Sequence, residues 1–292
     1  MTSITTNQEA GWYLGIDDES IYRTDKDILE ELAEERLNPP LAAIHMSVDE
    51  VSYLKYHRYL TNVIDTDKRL VIWNDRGRKA AVLDTYYEAI GEQNCKKIES
   101  VALDGARTYI SSTKKYAVNA LVVLDRFHVT QKLNKAVDRV RKDELIKARI
   151  NEDEELVALI NCKQRFMLLK NKNKMTPKQT VTLAMLCEKN EPIYKAMLLK
   201  DSFLQLYSCK DIEEAENHLM NWLEQAFESS LEVFRDFAES ILNKMQYLLN
   251  WFRRKISSAI SEGFNNKIKR LKRMAYGYKD IEYFKLKIHC GR

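Results

Sequence analysis

Apolar residues recur along this chain with two different periods, and the change of period divides it into segments. Between Leu41 and Val129 the runs AIHMSVD (43–49), RYLTNVID (58–65) and KRLVIWN (68–74) have strand length. They are rich in β-branched and aromatic residues and are separated by polar, turn-like stretches. They predict three sequential strands in an antiparallel meander. RKAAVLDTYYEAIGEQ (78–93) instead sets Ala81, Leu83, Tyr86, Tyr87 and Ile90 at helical spacing, with Gly91 as a stop signal. KIESVALD (97–104) predicts a fourth strand, followed by a short helix through Tyr109 and a fifth strand at NALVVLD (119–125).

From Thr130 to about Asn250 the strand signals vanish, and a three-to-four-residue apolar spacing takes over in KLNKAVDRVRKDELIKARI and again after residue 210. Thr176, Pro177 and Gln179 form an N-cap, a first-turn proline and a capping box. About 120 consecutive residues of this kind are too many for a loop and predict an all-helical insertion. At the other end, Ala10–Ile16 followed by DDESIYRTDKDILEEL reads as the turn and second helix of a helix-turn-helix, closed by Asn38, Pro39 and Pro40. The predicted organisation is a helix-turn-helix remnant (1–40), the first part of a core (41–129), the helical insertion (130–250) and the last part of the core (251–292). The order β-β-β-α-β-α-β is that of a ribonuclease H-like sheet, so the predicted fold class is α/β, a ribonuclease H-like mixed sheet with a large all-helical insertion.

In such a sheet the first and fourth strands are neighbours. Asp49 and Asp104, 55 positions apart, then stand at the ends of adjacent strands, where two carboxylates repel unless a cation lies between them. Hard Mg²⁺ or Mn²⁺ suits oxygen ligands, and a pair of such ions serves in-line phosphoryl displacement. Glu262 is the candidate third acid. In SSAISEGFNNKIKRLKRMAYGY it shares one helix face with Asn265, Asn266 and Lys269, a face suited to a metal ligand flanked by phosphate-holding groups. A charge-balancing surface glutamate is the alternative. LDRFHV (124–129) adds Asp125 and His128, readable as an accessory pair orienting the site or as a helix cap beside an interface histidine.

Charge changes the picture only when divided along the chain. The net charge of +4 conceals a segment, Trp251 to Arg292, with 12 Lys or Arg against 3 acids; the remainder has 35 against 40. Within that segment Lys267, Lys269, Arg270, Lys272 and Arg273 form a basic run, which is either a phosphate-backbone contact or a solvated helix face. With 45% hydrophobic and 31% charged residues, eight Gly and four Pro, the chain is globular and ordered. The lack of an apolar run of about 20 residues, and an N-terminus without a signal core, predict a cytoplasmic protein. The widely spaced Cys95, Cys162, Cys187, Cys209 and Cys290 read as reduced, mostly buried thiols, not as zinc ligands or disulfides.

Five collinear motifs carry a family resemblance: SVDEVSYLKYHRYLTNV with Asp49, SVALDGARTYI with Asp104, VVLDRFHVTQKLNKAVDRVR with Asp125 and His128, RFMLLKNK around Phe166, and SEGFNNKIKRLKRMAYGY with Glu262. From about Ile44 to Phe284 the chain resembles the DDE transposases of bacterial insertion sequences, ISL-three group. The resemblance implies metal-dependent cleavage and strand transfer of DNA, with Asp49, Asp104 and Glu262 as the metal-binding triad for two Mg²⁺ or Mn²⁺ ions and Asp125 with His128 as an accessory motif. Asn265, Asn266 and the basic run are expected to contact DNA at element ends and target. Joining two ends calls for a homodimer, although no residue pattern specifies one. Family members carry a cysteine-rich zinc-binding module and a full helix-turn-helix, which implies a truncated copy here. Two alternatives stand beside this reading: an inactive or domesticated DNA-binding remnant, and a ribonuclease H-like nuclease.

Overall fold

The computed structural model of the chain describes residues 5–37, 40–54, 58–161, 164–170, 172–254 and 259–290. Cys162 and the Asn38–Pro39 step lie outside the described residues. The runs predicted as strands become β1 (His45–Leu54), β2 (Arg58–Asp65), β3 (Leu70–Arg76), β4 (Ser100–Leu103) and β5 (Leu121–Leu124). They make one five-stranded mixed sheet in the order β3-β2-β1-β4-β5. The first three pair antiparallel in series, as a meander requires, whereas β1 with β4 and β4 with β5 are parallel. SVAL and LVVL are apolar at nearly every position because parallel strands are covered on both faces.

β2 keeps its predicted bounds, β3, β4 and β5 shift by up to three residues at either end, and β1 departs most. β1 does not end at Asp49 but runs five residues further, to Leu54, because Glu50, Val51 and Ser52 continue the ladder with Thr61, Leu60 and Tyr59 of β2. Its parallel ladder with β4 stops at Ser47. Asp49 therefore lies mid-strand yet just past the end of the parallel pairing.

The helices, in chain order, are α1 (Asn7–Leu14), α2 (Asp18–Leu37), α3 (Ala80–Ile90), α4 (Glu92–Cys95), α5 (Arg107–Tyr116), α6 (Arg126–Ile150), α7 (Glu154–Ile160), α8 (Arg165–Leu169), α9 (Pro177–Lys189), α10 (Glu191–Gln205), α11 (Ile212–Glu228), α12 (Glu232–Leu242), α13 (Met245–Arg253), α14 (Ala259–Met274) and α15 (Ile281–Cys290). None of the described helices is long and apolar enough to cross a membrane. The chain divides into two compact units, residues 1–125 with 254–292, and residues 126–253.

In the first unit each face of the sheet has its own cover. Leu83, Tyr86, Tyr87 and Ile90 of α3 are buried, as their helical spacing predicts, and Tyr109 of α5 reaches Thr61 of β2 through a 2.8 Å hydroxyl pair. On the opposite face Val51, Leu60, Ile64 and Val71 pack with Ile268 of α14 and with Ile281, Phe284 and Ile288 of α15. The stretch predicted as a turn, Ala10–Ile16, is mostly helix, because a capping box of Thr6 and Glu9 starts α1 and the turn begins at Gly15. Gly11 permits the tight approach of α1 to that turn, since a Cβ there would sit 2.5 Å from the Ile16 carbonyl.

In the second unit α6 and α9 to α12 bury a cluster in which Trp222 meets Phe203 and Phe237 edge-on, and Trp222 donates to the Leu199 carbonyl at 2.8 Å. The predicted cap at Thr176 is present in full. Lys200 is buried and donates to the Leu168 and Lys170 carbonyls, closing the end of α8. Among the described cysteines Cys95 is buried, and Cys187, Cys209 and Cys290 are half-buried.

α2 is tied to α15 by polar contacts at its rim. Asp280 accepts from Tyr22 at 2.6 Å and Lys26 at 2.8 Å, and Lys287 pairs with Asp25 at 2.6 Å. Burial disfavours the charged Asp280 carboxylate, but the hydrogen bonds from Lys26, Tyr22 and the Tyr283 N–H outweigh it and hold its pKa well below the usual carboxylate range. A depressed folded pKa gives stability that is present above the unfolded value of about 3.9 and lost as pH falls through the folded one. Asp280→Asn should therefore flatten the acid limb of the stability–pH curve below about pH 4, read by urea unfolding; an acid limb as steep as that of the parent chain would contradict the role given to this carboxylate.

Candidate active site

The sheet register sets the site. Ser47 of β1 pairs with Ala102 of β4, and Ala102 with Val123 of β5. Two positions further along each strand stand Asp49, Asp104 and Asp125. Asp104 directly follows the last residue of β4 and Asp125 that of β5, where the Asp125 N–H donates to the Leu103 carbonyl at 2.7 Å. Three acids thus occupy level positions on three adjacent strands, with the same pleat parity. Asp49 is 7% exposed, Asp125 6%, and Asp104 is half-buried.

Backbone N–H groups fix two of these carboxylates. The Glu50 N–H donates to Asp49 Oδ1 at 2.7 Å, and the Ala106 N–H donates to Asp104 Oδ1 at 2.8 Å. The second bond closes a turn over Gly105, whose φ of 86° lies in the left-handed region that glycine adopts without strain.

A fourth carboxylate belongs to the same neighbourhood, and sequence reasoning passed over it. Glu50 points to the opposite face from Asp49, the face of Thr61 and Tyr109. Burial pushes its carboxyl above the ordinary value; the Tyr109 hydroxyl pulls it down, the Asp104 charge raises it, Arg78 lowers it and Asp49 raises it again. The signal was present in the adjacent acids of SVDEVSY, one for each face of a strand.

α14 lies against β1, with Phe264, Ile268 and Leu271 turned to the core. Glu262 falls in the first turn of this helix, but its side chain and that of Asn265 lie outside the described residues. Asn266, Lys269, Arg270 and Arg273 are exposed, whereas Lys267 is half-buried and burial lowers its pKa. Lys272 donates to the Ser52 carbonyl of β1 at 3.1 Å, so it also holds the helix to the sheet. His128 belongs to the second unit, in the first turn of α6, with its ring edge-on to Phe127 at 5.5 Å. The division between the units falls between Asp125 and Arg126.

The structure therefore places Asp49, Asp104 and Asp125 together by register. Among the described residues no three His, Cys, Asp or Glu side chains converge closely enough to hold a metal ion. The donor chemistry of Asp49 and Asp104 is all oxygen, which fits a hard divalent cation and not a soft one. Replacing Asp104 with Asn should bring the Glu50 pKa down toward the ordinary carboxylate value, measured by carbon-13 carboxyl NMR titration. An unchanged Glu50 titration would contradict the electrostatic proximity of the two acids.

Residues 46–288 match a protein family described as transposase. The chain is similar to the transposase for insertion sequence element IS1001 of Bordetella parapertussis, 32% identical over 248 residues that make up 85% of this chain and 60% of that protein. It is also similar to the transposase for insertion sequence element IS1557 of Mycobacterium tuberculosis, 26% identical over 258 residues, 80% of this chain and 56% of that protein. The chain spans about three-fifths of the length of these relatives. By a match that covers most of its length, including the sheet positions of Asp49, Asp104 and Asp125, this chain belongs to the ISL3-type DDE transposase family.

Proposed function

We propose that this chain carries the catalytic core of a DNA transposase that cleaves the ends of an insertion sequence and joins them to target DNA. The observation that supports it best is the level placement of Asp49 and Asp104 on adjacent parallel strands, within a chain of this family. The strand order β3-β2-β1-β4-β5, antiparallel on one side of β1 and parallel on the other, suits a ribonuclease H-like fold, with residues 126–253 as its helical insertion.

In this reading Asp49, Asp104 and Glu262 would hold two Mg²⁺ or Mn²⁺ ions, which supply activation of the attacking oxygen and charge neutralisation at the leaving oxygen. The protein's part is orientation. The turn at Gly105 and the Glu50 N–H fix one oxygen each of Asp104 and Asp49, which sets the direction in which each carboxylate faces. In cleavage, water supplies the incoming oxygen while the bond between phosphorus and the 3′ oxygen breaks; in joining, the freed 3′ hydroxyl attacks a target phosphorus, and the bond from that phosphorus to the target strand's own 3′ oxygen breaks. Asp125 stands beside Asp104 at the end of β5, and His128 follows it as an accessory group. Asn265, Asn266, Lys267, Lys269, Arg270, Lys272 and Arg273 offer α14 to the DNA backbone, and the two ends are held by two copies of the chain in the cytoplasm.

Asp104→Ala should abolish Mg²⁺-dependent nicking of element-end DNA while nonspecific DNA binding stays the same or tightens. A variant that still cuts at the parent rate would refute the catalytic assignment. Neutralising Lys267, Lys269, Arg270, Lys272 and Arg273 together should reduce the slope of log affinity against log salt by about 0.9 for each DNA phosphate that α14 no longer neutralises. An unchanged slope would return the run to a solvated helix face.

A further inference from the structure

The acid row continues across the antiparallel half of the sheet. Asp49 of β1 pairs with Asn62 of β2, and Asn62 with Asn74 of β3. Both asparagines alternate with residues of the apolar cluster beneath α14 and α15, since Leu60 and Ile64 flank Asn62 on the same face. Asn62 is 1% exposed and Asn74 4%. None of their four amide oxygen and nitrogen atoms has a hydrogen-bond partner among the described residues. Such groups are rare, because a buried polar atom without a partner forfeits its hydration for nothing. Leu60, Ile64 and Ile268 offer nothing in return, whereas the Asp49 carboxylate stands one strand away, at the spacing of direct cross-strand neighbours.

Resting on the reading of Asp49 as a metal ligand, we propose that Asn62 is a positioning residue for the Asp49 carboxylate, with Asn74 as its support. The Asn62 amide nitrogen donates to an Asp49 oxygen when the other oxygen binds a divalent cation, and the Asn74 amide nitrogen donates to the Asn62 amide oxygen. A carboxylate only accepts hydrogen bonds, so its orientation toward a cation depends on donors behind it. The amide pair supplies them from the buried side, while α14 and α15 keep bulk water from competing. The asparagines touch neither DNA nor metal in this arrangement; they act through Asp49.

Mn²⁺ binding to the full chain, followed by titration calorimetry and by the electron paramagnetic resonance signal of the bound ion, tests this directly. Asn62→Leu removes both the donor and its unmet desolvation, so its unfolding midpoint should equal or exceed that of the parent chain. Its Mn²⁺ affinity should fall about tenfold or more. Asn62→Ser, which keeps a short donor, should recover part of the affinity, and Asn74→Leu should show a smaller loss of the same sign. A folded Asn62→Leu chain with parental affinity overturns the proposal; if that variant does not fold, parental affinity in both Asn62→Ser and Asn74→Leu overturns it. Asp49→Asn separates the two levels of inference. Loss of Mn²⁺ binding there with none in Asn62→Leu sinks the amide relay alone, whereas parental binding in Asp49→Asn removes the metal site and the relay with it.

Discussion

Three residues of parallel ladder, His45 to Ser47 against Ser100 to Ala102, hold β1 beside β4, and four more hold β4 beside β5. Because side chains alternate strictly along a strand, a slip of one residue in either ladder would turn an acid to the opposite face. The register is protected by burial: SVAL is buried throughout, and three of the four residues of LVVL are buried. Asp49, Asp104 and Asp125 then follow at level positions without any local device to gather them. The antiparallel arm extends the same row to Asn62 and Asn74. Its covering layer is the α14–α15 pair, the first helix of which carries Glu262.

Electrostatics explains why such a row is not simply a stable piece of sheet. Neighbouring carboxylates raise one another's cost of ionisation; burial is the larger upward push on Glu50, and the added push from Asp104 and Asp49 is the visible trace of that crowding. Nearby cations compensate only in part: the Arg78 charge lowers the Glu50 pKa, while Lys272 is spent on the Ser52 carbonyl. Lys269, Arg270 and Arg273 are exposed on α14. A negative strand edge with a basic helix packed on the same strand suits a polyanion that approaches together with divalent cations.

Much of this was legible in the sequence, and the rest was hidden for identifiable reasons. Strand existence followed from short runs rich in β-branched and aromatic residues such as RYLTNVID, the α3 core from Leu83, Tyr86, Tyr87 and Ile90, and the α9 cap from Thr176 and Gln179. The extension of β1 beyond Asp49 was not legible, because Glu50 and Ser52 break the apolar alternation and only the ladder with β2 reveals them as strand. Glu50 was overshadowed by its neighbour, since its significance depends on Tyr109, distant in sequence and brought close by α5. Asn62 and Asn74 read as ordinary strand residues. The clue was an amide between Leu60 and Ile64 on an inward face, whose importance rests on the absence of partners among the described residues, which only tertiary structure discloses.

In the proposed reading Asp49 and Asp104, on adjacent interior strands, hold divalent metal ions. The most direct measurement is an anomalous difference map at the manganese absorption edge from crystals of the full chain grown with Mn²⁺. The account predicts manganese peaks bridging the Asp49 and Asp104 carboxylates, with the Glu262 side chain as a further ligand. Manganese bound elsewhere, with Asp49 and Asp104 carrying none, would contradict it.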